Sequence, residues 1–189
     1  MKSEDRFYLA ALIRCSGFGS RTLRKLLTFY RTARDIWEAG PEDLAVQGRL
    51  APGAVQRLML FRREQEGLPE QMEASCRRAG CKLCTIEDDV YPVVLREIYD
   101  PPVVLFYRGN IEPDARRIAM VGSRRFTSYG EGLALDFGQR LASAGLTVVS
   151  GAARGIDTAS HRGAQKAGRT VAVLGCGVDV AYPAENRRL

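Results

Sequence analysis

Along the first 80 residues apolar side chains recur at helical spacing, as in Leu23, Leu26, Leu27 and Tyr30 and again in Val55, Leu58 and Met59 with Arg62. Residues spaced this way share one face of an α-helix. Gly17, Gly19, Gly40-Pro41, Pro52-Gly53 and Gly67-Leu68-Pro69 interrupt the runs, and such breakers separate elements. The pattern predicts four or five short helices forming a small all-α domain over residues 1–80. After Gly80 the period changes. Lys82–Ile86 reads as a strand, Pro92–Ile98 as a short helix, and the β-branched and aromatic run Val103–Tyr107 as a second strand, with Asp88, Asp89, Pro101 and Pro102 marking the turns. This segment reads as a connection between the helical part and the remainder of the chain.

From Arg117 strands and helices alternate: strand Ile118–Val121, helix Ser128–Ala144, strand Thr147–Ser150, helix Asp157–Ala167 and strand Thr170–Leu174. Gly145 and Gly168 each stand just past a predicted helix, where a C′ glycine belongs. The strands are apolar throughout, as expected of a parallel sheet covered on both faces. The fold class is therefore α/β, a small all-α N-terminal domain followed by a truncated Rossmann-like parallel βαβαβ domain over residues 81–189. On this reading the sequence contains the first half of that domain and lacks its C-terminal half. A further helix is expected after Tyr182-Pro183, and three strands leave an exposed sheet edge.

Composition agrees with a folded chain: 46% of the 189 residues are hydrophobic and 26% charged, with a net charge of +6. Only four of the cations are Lys and 24 are Arg, the side chain whose planar fork matches phosphate oxygens, although genomic base composition produces Arg excess as well. The apolar stretch Phe7–Ile13 is bounded by Asp5 and Arg14. It is too short to span a bilayer and lacks a cleavage pattern. Five cysteines, an odd number without a secretory signal, point to reduced thiols in a cytoplasmic protein with no membrane partner.

The candidate chemistry lies where predicted strands run into helices. The first strand enters Gly122-Ser123-Arg124-Arg125, and the second enters Ser150-Gly151-Ala152-Ala153-Arg154-Gly155-Ile156-Asp157. Such turns lie side by side at the carboxyl end of a doubly wound sheet, where glycine admits backbone amides and a helix N-terminus favours an anion. Tight turns require glycine whatever the function. Two glycine-rich turns with Arg124, Arg125 and Arg154 beside them favour phosphate. No G-x-G-x-x-G follows the first strand, and Gly175-Cys176-Gly177 continues into Val178-Asp179-Val180, so no nicotinamide, flavin or other cofactor is expected.

Other features carry less. Cys15-Ser16-Gly17-Phe18-Gly19-Ser20 has the layout of a helix-hairpin-helix turn, but a single Gly-x-Gly is a weak signal and an ordinary two-helix connection is the favoured reading. Cys76, Cys81 and Cys84 have the C-x₄-C-x₂-C spacing of one iron–sulfur class. The first reads as helical and the last as mid-strand, with Cys81 on the opposite face, and no metal site is expected. His161 shares a helix face with Asp157. Ser150 and Ser160 have no base–orienter arrangement around it, so no catalytic residue is assigned.

The run Tyr91-Pro92 through Asp100-Pro101-Pro102-Val103-Val104-Leu105-Phe106, then Val121-Gly122-Ser123-Arg124, Tyr129-Gly130, Val149-Ser150-Gly151, Gly155-Ile156-Asp157, His161, Thr170-Val171-Ala172-Val173-Leu174-Gly175 and Tyr182-Pro183, resembles the DNA-processing protein A (DprA/Smf) family in order and spacing. The helical N-terminus fits that family's SAM-like or hairpin-like first domain. The resemblance implies an extended Rossmann domain that binds single-stranded DNA, protects it during natural transformation and helps load the RecA recombinase, without being an enzyme. It also implies a homodimer for the full-length form. In the family the Gly-Ser-Arg turn contacts DNA phosphate, which by position assigns Arg124, with Gly122, Ser123, Ser150 and Gly151 shaping the pocket. Arg125, Arg154 and Gly155 complete the expected phosphate site, and Phe126 adjoins it for stacking on a base.

Two departures from the family pattern are visible. Ala152-Ala153-Arg154 stands where the family has an apolar residue, Ala and a variable position. On the same resemblance the family's second Rossmann half, with its Phe-Pro-x-Arg-Asn-Arg motif, and a winged-helix-like domain are expected to be missing from this sequence, and weaker DNA binding than by a full-length relative is expected. Two alternatives stand beside this reading: a Rossmann-like nucleotide-processing enzyme of the phosphoribohydrolase kind, and an isolated folding unit without activity.

Overall fold

Proline, glycine and one capping box set where the helices of the N-terminal part begin and end. The computed structural model describes residues 5–189, and up to Arg78 it contains α1 (Asp5–Leu12), α2 (Ser20–Leu26), α3 (Ala33–Glu38), α4 (Pro41–Val46), α5 (Pro52–Glu64) and α6 (Leu68–Arg78). α4, α5 and α6 each carry Pro in the first turn, where the missing N–H is one the helix would leave unpaired anyway. α3 starts with Thr32, whose hydroxyl accepts from the Asp35 N–H while the Asp35 carboxylate accepts from the Thr32 N–H. α6 ends in a Schellman motif. Gly80 adopts a φ of +62°, the Cys81 N–H donates to the Cys76 carbonyl at 3.0 Å, and the Gly80 N–H donates to the Arg77 carbonyl at 3.1 Å.

α1 is buried along Leu9, Ala10, Ala11 and Leu12, and Phe18, Leu23, Leu26, Ile36, Leu44 and Leu58 join Leu9, Ala10 and Leu12 in one core. The predicted helical faces are the observed ones, since Leu23, Leu26, Val55 and Leu58 all point inward. β1 (Lys82–Thr85) and β2 (Val104–Tyr107) form an antiparallel ribbon with Leu83 opposite Phe106, and the short α7 (Val93–Arg96) lies between them in sequence. Tyr91 is fully buried and its hydroxyl donates to the Pro102 carbonyl at 2.8 Å, closing the loop that carries α7.

The chain divides into two compact units, the first ending at Pro113 and the second comprising Asp114–Leu189. The sequence pattern put the division after residue 80, where the helical period stops. The ribbon belongs with the helices because Leu83, Val103 and Val104 complete the core around α1. A change of period marks a change of element type, which is not the same as a change of core.

In the second unit β3 (Arg117–Ala119), β4 (Thr147–Ser150) and β5 (Thr170–Ala172) form a parallel sheet in the order β3-β4-β5, linked through α8 (Ser128–Ser143) and α9 (Ile156–Ala164). The expected helix after Tyr182-Pro183 is a 3₁₀ turn, Ala184–Arg188. Strand order advances one way across the sheet, so crossovers of one hand lay both helices on the same face. Val148, on that face, is fully buried with Ala142 and Ala164, with Ile118 and Leu141 packed around them. Val149 and Val171 point the other way and are only half-buried. The expectation of a sheet covered on both faces is therefore corrected: within this unit the helices cover one face.

The two helices pack unusually closely. A Cβ on Gly138 of α8 would strike the Ser160 carbonyl oxygen of α9, and a Cβ on Gly163 of α9 would strike the Leu135 carbonyl oxygen of α8. Backbone meets backbone at both positions, so no side chain can move aside. Gly138→Ala is expected to lower the stability of the chain by about 2 kcal/mol, in the usual range for overpacking. Urea unfolding followed by circular dichroism checks this, and an unchanged midpoint would contradict the close approach.

Candidate nucleic-acid interface

The carboxyl end of the sheet is built by two loops in direct contact. The β3–α8 loop and the β4–α9 loop are joined by the Ile156 N–H, which donates to the Ser123 carbonyl at 3.2 Å. A Cβ on Gly122 would enter the Ile156 side chain, and one on Gly155 would enter the Ser123 carbonyl and the Arg124 backbone. Gly155 also has a φ of +91°, in a region L-residues avoid. These glycines serve loop-to-loop packing.

The first loop faces solvent. Gly122, Ser123, Arg124, Arg125 and Phe126 are all exposed, Phe126 to 43%. Ser123 Oγ accepts from the Arg125 N–H at 3.1 Å and donates to the Arg125 carbonyl, so the serine holds its own loop in shape. Thr127 then caps α8, its hydroxyl accepting from the Gly130 N–H at 3.1 Å. Among the described residues no carboxylate pairs with Arg124 or Arg125. Tyr129, three residues beyond Phe126 in the first turn of α8, is 76% exposed. Motif reading does not single it out as a site residue. The signal is an exposed aromatic in the first turn of the helix that follows the arginine-bearing loop.

The second loop is occupied with itself. Arg154 Nε donates to Glu185 Oε1 at 2.5 Å and its Nη2 to Oε2 at 3.4 Å, a forked ion pair with the 3₁₀ turn. The hydrogen bond from Arg154, reinforced by its charge, holds the Glu185 carboxyl below the usual glutamate range. Asn186 Nδ2 donates to the Ala152 carbonyl at 2.9 Å and to Thr158 Oγ1 at 2.7 Å, while Thr158 Oγ1 donates to the Ala153 carbonyl at 2.6 Å. The Asp157 carboxylate lies buried under this loop, accepting from the Ala153 N–H at 3.3 Å in the space that Gly151 leaves by having no side chain. One carboxylate thus pairs with Arg154, whereas among the described residues none pairs with Arg124. Glu185 and Asn186 could not be found by reading motifs, because they reach the loop from more than 25 residues away.

Ser150 is buried beneath the loops, with no hydrogen-bond partner for Oγ among the described residues. His161 is buried beside β4 and β5. Its Nδ1 lies 2.5 Å from Thr170 Oγ1, which itself donates to the Val148 carbonyl at 2.9 Å. The threonine proton is thereby committed, so His161 Nδ1 carries the hydrogen of that contact. Burial pushes the imidazole pKa down, against an opposing pull from Asp157. His161 therefore ties α9 to the sheet. No group of three or more His, Cys, Asp or Glu side chains among the described residues could hold a metal ion.

This geometry has close relatives. The family model for DNA recombination-mediator protein A matches residues 82–189. The chain belongs to that family. The match begins at β1, so it takes in the ribbon that packs with the helices as well as the whole second unit. The DNA processing protein DprA of Streptococcus pneumoniae strain R6 is 48% identical over 107 residues, covering 56% of this chain and 38% of that protein. Protein Smf of Synechocystis is 30% identical over 195 residues, covering all of this chain and 48% of its own length. The X-ray structure of DprA from Streptococcus pneumoniae superposes with a TM-score of 0.68 at 31% identity, over all of this chain and 62% of that one. The α/β architecture with a parallel three-stranded sheet is thus that of a known family fold. The chain spans about half the length, or less, of these curated relatives. No helix among the described residues is long and apolar enough to cross a membrane.

The state of His161 makes stability depend on pH. Its pKa in the folded chain lies below the ordinary value of 6.5, so the unfolded chain binds the proton more readily and folding weakens as pH falls below that value. The urea midpoint is expected to drop between pH 7 and pH 5.5, and to drop less in His161→Gln. Equal drops in both proteins would rule out the histidine as the cause.

Proposed function

We propose that this chain binds single-stranded DNA through the Gly122–Phe126 loop, as a non-enzymatic DNA-processing protein acting in the cytoplasm on DNA taken up in transformation. The observation that carries the reading is the pair Arg124 and Arg125, exposed on a loop held rigid from inside, without an opposing carboxylate. Arg is the cation suited to bidentate phosphate contact. Phe126 and Tyr129 beside it supply faces on which bases stack, the combination expected of sequence-tolerant single-strand binding. Gly122, Ser123, Gly151 and Gly155 shape the loops, and Ser150 supports them from beneath. Arg154 is a reserve cation, available to phosphate only at the expense of its pair with Glu185. Assistance to RecA loading, and dimerisation of the full-length form, rest on the family resemblance and belong to the same proposal.

Fluorescence anisotropy with a labelled oligothymidylate tests it. Binding should be tighter to the single strand than to duplex, with a log–log salt slope of about −0.7 per phosphate neutralised. Arg124→Ala should weaken binding about tenfold, as for loss of one charge-assisted hydrogen bond, and flatten the slope by about 0.7 with an unchanged unfolding midpoint. Equal affinity of the variant and parent would remove the loop from the site. Release of free base from a nucleoside monophosphate by the pure chain would instead favour a phosphoribohydrolase-like enzyme.

Glu185→Gln provides a test in the opposite direction. It frees Arg154 and removes one negative charge from the interface, so affinity for the same oligonucleotide should rise about threefold, in keeping with the modest worth of an exposed ion pair. The salt slope should steepen as a further phosphate is engaged. No gain would mean that the second loop lies outside the DNA path.

A further inference from the structure

The first unit contains a feature that DNA binding does not use. In a Schellman motif the side chains at C3 and C″ are brought together across the left-handed C′ residue, normally as an apolar contact. At the end of α6 these positions are Cys76 and Cys81, with Gly80 at C′. Their Sγ atoms lie 2.6 Å apart, and Cys76 Sγ also donates to the Cys81 carbonyl at 3.1 Å. The backbone hydrogen bond from Cys81 to Cys76 fixes the spacing, so the pairing results from the way the helix terminates. The spacing noted for iron–sulfur binding resolves into this pair, while Cys84, on β1, is buried with Ile86 and Tyr91 in a separate cluster.

The two thiols differ in access. Cys76 is buried, whereas Cys81 is partly exposed, and both border an open cavity of about 340 Å³ whose lining includes Arg6, Arg77 and Lys82. Arg6 is paired with Asp88 and Arg77 with Glu73, which leaves Lys82 as the cation of this lining without a carboxylate partner among the described residues, a charge that suits an anionic reagent and a developing thiolate. We propose that Cys76 and Cys81 are a reversible dithiol–disulfide pair, a modification site that reacts with anionic low-molecular-weight disulfides of the glutathione class.

The chemistry balances in two exchange steps. The Cys81 thiol loses its proton to solvent, and its thiolate attacks one sulfur of the reagent disulfide, forming a mixed disulfide and expelling one reagent thiolate. Cys76 then loses its proton and attacks the Cys81 sulfur, forming the Cys76–Cys81 bond and expelling the second reagent thiolate; each expelled thiolate takes up a proton. The protein loses two electrons and two protons, and the reagent disulfide becomes two thiols. Burial, followed by the hydrogen bond and charge of Cys81, pushes the Cys76 thiol up to about 12, which keeps it protonated at the start.

Peptide mapping tests the proposal on the full chain. The protein is incubated with glutathione disulfide, remaining thiols are alkylated, and trypsin is applied. Cleavage after Arg77 and Arg78 places Cys76 and Cys81 on different peptides, so they remain together only if a disulfide joins them. The expected result is a linked pair from monomeric protein, lost on treatment with dithiothreitol. In Cys76→Ser a lasting glutathione adduct on Cys81 should replace it. Alkylation of both cysteines in the wild type after prolonged incubation would overturn the proposal, as would a lasting adduct on Cys81 with Cys76 still alkylated, or linkage only between two chains. The wild-type map alone decides the matter if the serine variant does not fold.

Discussion

The second unit depends on the absence of side chains at four positions. Gly138 and Gly163 let α8 and α9 touch backbone to backbone, and Gly122 and Gly155 let the loops that lead into those helices touch in the same way. The two sets are geometrically linked. Helices that approach this closely on one face of a parallel sheet bring the loops that precede them side by side, where the Ile156 N–H reaches the Ser123 carbonyl. Helix packing thereby positions the surface loop, and Ala142, Val148 and Ala164 fill the small space left between helices and sheet. Interiors at native density do not absorb even one extra methyl without displacement, so the loop geometry is only as secure as this contact.

Electrostatics then makes two similar loops unequal. Each begins at the end of a strand, contains Gly and Arg and precedes a helix, and symmetry would assign them the same role. The second loop, however, has Asp157 buried beneath it and Glu185 paired with Arg154 at its surface. The exposed pair is worth little, and the buried carboxylate is held in place by the Ala153 N–H. Among the described residues the first loop has no such counter-charge. Its only internal side-chain bonds, those of Ser123, stiffen the chain without consuming either arginine. A loop ordered in advance loses less conformational entropy on binding, so stiffness and free charge act together there.

The extent to which this was visible in the sequence depends on the range of each interaction. Periodicity and punctuation are local, and they gave α8 to within a residue and β4 with its observed ends, together with the inward faces of α2 and α5. The domain boundary depended on which core the ribbon joins, a question about Leu83 and Val103 meeting α1 that no local window contains. Coverage of the sheet failed for a similar reason. Apolar strands report burial in the complete fold, while the face left half-buried here at Val149 and Val171 depends on strand order. The place of Arg124, Arg125 and Phe126 on an exposed strand-to-helix turn was legible because glycine marks such turns; their contact with DNA stays a proposal. The pairing of Arg154 with Glu185, and of His161 with Thr170, was not legible, since neither partner lies in the same motif.

The same distinction separates the residues that carry the family resemblance into those that build and those that face outward. Tyr91 closes a loop onto the Pro102 carbonyl, Gly155 admits the first loop, Asp157 holds the second, and His161 ties α9 to β5 through Thr170. Each has a structural task sufficient to account for its presence. Arg124 has none: it is exposed, makes no ion pair with a described residue, and supports nothing with its guanidinium. An unpaired guanidinium contributes little to stability where it stands and adds to the repulsion among the chain's cations. An exposed cation without a structural task, on a loop that glycines and a serine keep in place, is therefore the residue on which the proposed DNA contact rests.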